Sequence, residues 1–225
     1  MTAQLDVLVI ESQPGAATAA TAALEAAGHR TTTCHPAEAK AAFPCRAVID
    51  PSDCPLNARP AVALLVRDGT VAPGVREQGA SCAIRAGIPL VEAGPSALDP
   101  YEPWLAGRVE GDDGDVVAVC EAARTAALGA LRRRILTLVR PGLAAARITM
   151  ADVACGIEPR GLGLHVRFDI GTPVPAGLRQ ALAVRVLDAV RGGRQPYEHV
   201  SVSVNDGAKR RSRPDPAPRW SAPPG

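Results

Sequence analysis

The sequence predicts an α/β protein: a parallel-sheet domain, a long helix, and then a small α+β domain of ββαβ order. Three features predict it. Runs such as Leu5–Ile10 and Ala61–Val66 are apolar almost throughout and of strand length, as expected for strands buried on both faces of a parallel sheet. A helical pattern then runs from Val116 to Val139. Beyond it the rhythm changes: Leu162, Leu164, Val166, Phe168 and Ile170 alternate with Gly163, His165, Arg167 and Asp169, the period of two that marks a half-buried strand.

Taken in order, Leu5–Ile10 is the first strand, Glu11-Ser-Gln-Pro-Gly15 its loop, and a helix follows to Ala27. Pro14 suits a first helical turn and Gly28 a stop. Arg30–Cys34, with three consecutive threonines, is the second strand, because β-branched residues fit a pleated surface. Arg46–Ile49 reads as a third strand ending at Asp50-Pro51, and Ala61–Val66 as a fourth ending at Arg67-Asp68-Gly69. A helix over Val75–Ala86 leads to a fifth strand, Ile88–Val91, closed by Glu92. Residues 96–114 read as a polar loop, with Asp112, Asp113 or Asp115 as N-cap of the long helix. Pro141-Gly142 is read as its end. Leu128, Leu131, Ile135 and Leu138 form one stripe along it, expected to pack internally. The small domain then has a strand over Thr149–Ile157, the alternating strand, a helix over Ala176–Val190 and a last strand with Val200, Val202 and Val204 inward. The divisions are 1–114, a flavodoxin-like domain; 115–142, the linking helix; 146–206, the ββαβ domain; and 207–225, a tail expected to be disordered.

Charge and cysteine usage exclude several classes. The net charge of +2 over 225 residues hides an asymmetry. Lys209, Arg210, Arg211, Arg213 and Arg219 against Asp215 give the tail +4, which leaves −2 for residues 1–206. A mildly acidic body is a poor nucleic-acid surface, so nucleic acid is not expected as a partner except weakly through the basic tail. The N-terminal segment has no basic region ahead of its apolar run, and no run reaches the roughly 20 apolar residues of a membrane helix. A cytoplasmic protein is expected, with its six cysteines mostly reduced.

The chemistry-bearing candidates are few. Glu11, Asp50, Asp68 and Glu92 each follow a predicted strand, where ligands sit in such folds. The segments Val7-Leu-Val-Ile-Glu-Ser-Gln-Pro14 and Ala47-Val-Ile-Asp50 resemble the first strand and the aspartate-ending strand of the receiver domains of bacterial response regulators, over about residues 5–125. The resemblance implies Asp50 as phosphoacceptor, with Glu11 beside it. Ser12 and Gln13 replace the second acidic residue of that family, and Glu92 stands where receivers carry a lysine, so the scaffold reads as a degenerate receiver. An unneutralised Glu92 would repel a phosphoryl group. Neither a G-x-G-x-x-G nor a Walker A sequence is present, nor a G-x-S-x-G elbow. Gly15 at a helix start is only a generic anion site.

Cys34-His35, Cys45 and Cys54 lie in loop sequence with the spacing C-H-x9-C-x8-C, and Cys82 is a further ligand candidate. Thiolates with an imidazole suit zinc or an iron–sulfur cluster, although no C-x-x-C pair occurs and no cofactor is the default expectation. Cys120 and Cys155 sit in apolar patterns and read as core. His165, Arg167 and Asp169 share the outward face of one strand with Ser201, Ser203 and Asn205, expected as a polar sheet face. Gly163-Leu-His-Val-Arg-Phe-Asp-Ile170, Val190-Arg191 and His199-Val-Ser-Val-Ser-Val-Asn205 resemble the small domain of the alkaline-shock-protein family. That resemblance implies a non-enzymatic protein that associates with itself or other proteins. The expectation is a non-catalytic regulatory or interaction protein with a protein partner or a second copy as its target. The alternatives are a metal- or thiol-dependent site at Cys34, His35, Cys45 and Cys54, and phosphorylation at Asp50.

Overall fold

The computed structural model describes residues 4–35, 45–69, 74–95, 99–111, 115–160, 163–192 and 197–207. The basic tail from residue 208 and the candidate N-caps Asp112 and Asp113 lie outside them. Five strands, β1 (Asp6–Glu11), β2 (Arg30–Thr33), β3 (Val62–Val66), β4 (Leu90–Ala93) and β5 (Leu105–Val109), form one sheet in the order β2-β1-β3-β4-β5. Every pairing is parallel, which is consistent with a flavodoxin-like fold. Side chains alternate between two cores. Val7, Val9, Val62, Leu64 and Val91 face α1 (Thr18–Ala26) and the start of the long helix. Leu8, Ile10, Ala63, Leu65 and Leu90 face α3 (Gln78–Arg85). The continuous apolar runs are thus strands covered on both sides, as expected.

Two strands differ from the sequence reading. Arg46–Ile49 is not a strand but the short helix α2, continued by 3-10 turns at Pro51–Asp53 and Pro55–Ala58. A four-residue apolar run has no resolvable period, and here Val48 and Ile49 are 67% and 74% exposed, so no sheet face claims them. Conversely, β5 lies in the stretch read as a polar loop. It is an edge strand with alternating exposure, and its Gly107 backbone passes so close to α4 (Val116–Ala145) that a β-carbon there would lie 2.9 Å from Val119 Cγ1.

The side chain of Asp115 caps α4 by accepting the Ala118 N–H at 3.0 Å. This helix does not end at Pro141-Gly142 but runs to Ala145 with Pro141 inside it. Leu143 is fully buried beyond the proline, and that burial offsets the lost helical hydrogen bond. The amino-terminal part of α4 places Val116, Cys120 and Ala123 on the five-stranded sheet. Its carboxyl-terminal part puts Leu131, Ile135, Val139 and Leu143 into a separate core.

That second core is built on three strands, β6 (Val153–Arg160), β7 (Gly163–Ile170) and β8 (His199–Asp206), in the order β6-β7-β8. The pair β6–β7 is antiparallel and β7–β8 is parallel. The crossover between the parallel strands is α5 (Ala176–Gly192). Leu164, Val166, Phe168 and Ile170 point inward from β7 onto Leu182, Val186 and Val190 of α5 and onto α4. The expected first strand starts later than read, because Met150–Asp152 forms a 3-10 turn. Among the described residues no helix is long and apolar enough to cross a membrane.

Candidate functional site

Four of the six cysteines lie in four segments that pack around the carboxyl end of β2. Cys34 follows β2, and its N–H donates to the Val9 carbonyl at 2.9 Å. It is buried with Ile10, Ala80 and Ala83. Cys45 is the N-cap of α2. The next residue, Arg46, donates to the carbonyls of Thr33 at 2.9 Å and Cys34 at 3.4 Å, which ties α2 to the end of β2. Cys54 caps the second 3-10 turn, whose Leu56 packs on the core containing Cys34. Cys82 lies on α3, one turn after Gly79. A β-carbon at Gly79 would come within 2.8 Å of Cys34 Sγ and 3.1 Å of Ile10 Cγ1, so the glycine is what lets α3 close on the thiol.

The thiols act on one another. Burial pushes Cys34 up to about 11, Cys45, Cys82 and Cys54 push the same way, and Arg46 opposes them. Cys82 is also raised, chiefly by burial and then by Cys54 and Cys45, against Arg85. Burial, Arg76 and Arg46 all lower the pKa of the buried His35. The charges of Cys45, Cys54 and Cys82 thus bear on Cys34, and those of Arg76 and Arg46 on His35. Among the described residues, no three His, Cys, Asp or Glu side chains are placed to share a single metal ion. Gly79→Ala is expected to cost about 1–3 kcal/mol through overpacking, read as a lowered denaturation midpoint, with faster labelling of the Cys34 thiol as α3 is levered off.

The carboxyl edge of the sheet carries a different arrangement from the one the sequence suggested. Asp50 does not end a strand of the sheet. It is exposed and caps its own turn, accepting the Ser52 N–H at 2.8 Å and hydroxyl at 2.7 Å, and these bonds lower its pKa. The acidic residue beyond the end of β3, beside β1, is Asp68, whose N–H donates to Ser12 Oγ at 3.1 Å. Glu11 accepts the Ala17 N–H at 2.9 Å, so the start of α1, with its generic capacity for an anion, already holds a carboxylate of the chain itself.

Glu92 is not unneutralised. It is fully buried within β4, and Arg67 reaches it at 3.3 Å while also bridging Glu77 at 3.1 Å. Arg108 adds a contact at 3.0 Å and also pairs with Asp99. Sequence reading missed this network, although an arginine placed directly after an all-apolar strand was a usable signal. The polar sheet face is present and internally satisfied. His165 bonds Ser201 Oγ at 2.8 Å and Ser203 Oγ at 3.1 Å, Arg167 pairs with Asp169 at 3.0 Å, and Asn205 donates to Asp169 at 2.8 Å. Cys120 and Cys155 are buried in the two cores, as their apolar contexts suggested. In comparisons with known proteins, the sequence matches no protein-family model and no curated protein.

Proposed function

We propose that the chain is a non-catalytic regulatory protein that acts on a protein partner, with Cys34, Cys45, Cys54 and Cys82 as its metal- or thiol-responsive element. What supports this reading is that α2, whose N-cap is Cys45, is tied to the end of β2 at Cys34, and that α3, which carries Cys82, packs against the Cys34 thiol at Gly79. The short helix α2 links that chemistry to a surface. Cys45 is its N-cap, and Val48 and Ile49 on the same turn are exposed. Ligation or oxidation at Cys45 shifts this apolar pair, and exposed apolar side chains are what a protein partner recognises.

Hydrogen exchange tests the reading. Residues 45–58 are expected to exchange at different rates in anaerobically isolated protein and in protein stripped with chelator and reductant. Identical exchange in the two, together with thiols that react independently of one another, overturns it.

A further inference from the structure

We infer that a second copy of the chain docks on α5, with the exposed indole of Trp104 as the knob and a groove along α5 as its seat. The inference starts from charge and is independent of the cysteines. The −2 of residues 1–206 is the difference between two opposed halves. Residues 1–115 hold eight basic and fifteen acidic residues, a net of −7, and residues 116–206 hold twelve and seven, a net of +5. The division falls at the start of α4, so the acidic half is the five-stranded sheet with its helices, and the basic half is α4 with the three-stranded unit. Two copies with such opposed halves attract one another acidic half to basic half.

Each half also leaves one large apolar side chain uncovered. Trp104 is 56% exposed at the end of the 3-10 turn Glu102–Trp104, directly before the edge strand β5, with Glu102 exposed on the same turn. Val184 is 51% exposed on α5, in a shallow groove of about 550 Å3 lined by Gly177, Gln180, Ala181, Val184, Arg185 and Asp188. These residues recur at three- and four-residue spacing and so share one helix face. A β-carbon at Gly177 would meet nothing within 4 Å, so nothing in the same chain lies over that end of the groove. An aromatic side chain buries about 150–250 Å2, and tryptophan and arginine are enriched at the energetic centres of interfaces.

The charges around the groove fit the knob. Arg185 donates to the Leu138 carbonyl at 3.2 Å, which holds its side chain on the side of α4. Arg191 follows in the last turn of α5, and Arg134 reaches the same end, since a β-carbon at Gly192 would lie 2.8 Å from its Nη2. Among the described residues none of Arg134, Arg185, Arg191 and Glu102 is in an ion pair, and Asp188 is the single acid on α5. A guanidinium also stacks on an indole face, so the arginines serve both the ring of Trp104 and the carboxylate of Glu102. An anionic membrane is the poorer match for Trp104, because the half that carries it is acidic.

Sedimentation equilibrium of the full chain, reduced and at low ionic strength, tests this. A mass above that of one chain is expected, rising with protein concentration and falling in about 1 M salt, where the Debye length is about 3 Å. Trp104→Ala and Val184→Arg are each expected to weaken association about tenfold or more, with far-UV circular dichroism unchanged because both side chains are on the surface. Mixed in equal amounts, the two variants are expected to regain association as a one-to-one pair, since one keeps the groove and the other the knob. Parent protein that stays a single chain at every concentration overturns the inference, as does association that neither variant weakens, or a mixture that associates no better than its components. Association lost in the combined variant Arg210→Glu, Arg211→Glu, Arg213→Glu but kept in Val184→Arg puts the tail of the second copy in place of α5 and overturns it too. Binding to vesicles of phosphatidylglycerol and phosphatidylcholine without self-association overturns it in favour of a membrane.

Discussion

Arg67→Ala is expected to destabilise the five-stranded sheet by about 3–5 kcal/mol, the typical cost of removing one partner from a buried ionic network. The Arg67 side chain is only 3% exposed, and its partners on Glu77 and Glu92 are 1% and 0% exposed. Losing the guanidinium takes this partner from the buried Glu77 and leaves the buried Glu92 to Arg108. The control is Arg67→Met combined with Glu77→Leu and Glu92→Leu, which is expected to recover much of the loss because an apolar replacement removes the desolvation cost along with the attraction. Chemical denaturation followed by circular dichroism reads both.

The same variant has a pH signature with a defined sign. Burial, the hydrogen bond that protonated Glu92 donates to Asp99 and the Asp99 charge hold Glu92 above the ordinary carboxylate value, against Arg108 and Arg67. Taking Arg67 away removes one opposing cation, so the folded-state value climbs further. The folded protein then keeps a proton that the unfolded chain releases. Stability from this group is present below the unfolded pKa and is lost as pH rises through the folded one. The deficit of Arg67→Ala is therefore expected to widen as pH rises and to narrow in acid. A deficit independent of pH would mean that packing, not charge, is what Arg67 supplies.

Phe168→Ala is expected to cost about 3–5 kcal/mol in the second core. Phe168 is fully buried at the centre of β7, flanked by Val166 and Ile170 and packed with Leu182, Val186, Leu131 and Ile135. It is among the largest side chains in that core, so truncation opens a cavity that neighbours on two helices and three strands cannot all relax into. Because α4 also carries Val116, Cys120 and Ala123 into the other core, denaturation monitored at both sheets separates two outcomes. One shared transition shifting to lower denaturant means that α4 couples the cores. An early transition confined to the three-stranded sheet means that it does not.

The legible parts of the sequence were those where burial imposes a period. The runs at Leu5–Ile10 and Ala61–Val66 had to be strands covered on both faces, and β7 announced its inner face by strict alternation. The cap at Asp115 was readable because an acidic side chain before an apolar helical pattern satisfies free amides. The misread elements lacked a period: Arg46–Ile49 is too short to distinguish helix from strand, and β5 is an exposed edge whose Gly107 and Arg108 look like loop residues.

The candidate site divides the same way. Composition and spacing alone singled out Cys34, His35, Cys45 and Cys54 as soft ligands in loop sequence, since residue type dictates which chemistry a side chain can offer. Only tertiary structure decided which of them meet. Bringing α3 onto the end of β2 needs the missing β-carbon of Gly79, and that approach sets the helix bearing Cys82, a further candidate by residue type, against Cys34, while Arg76 and Arg46 lower the pKa of His35. Likewise the sequence marked Glu92 as an acid after a strand, but whether it repels or is neutralised depended on Arg67 and Arg108, which are distant in the chain. Local pattern determines what each segment must bury; the pairing of charges and thiols across segments is set by how the segments close on one another.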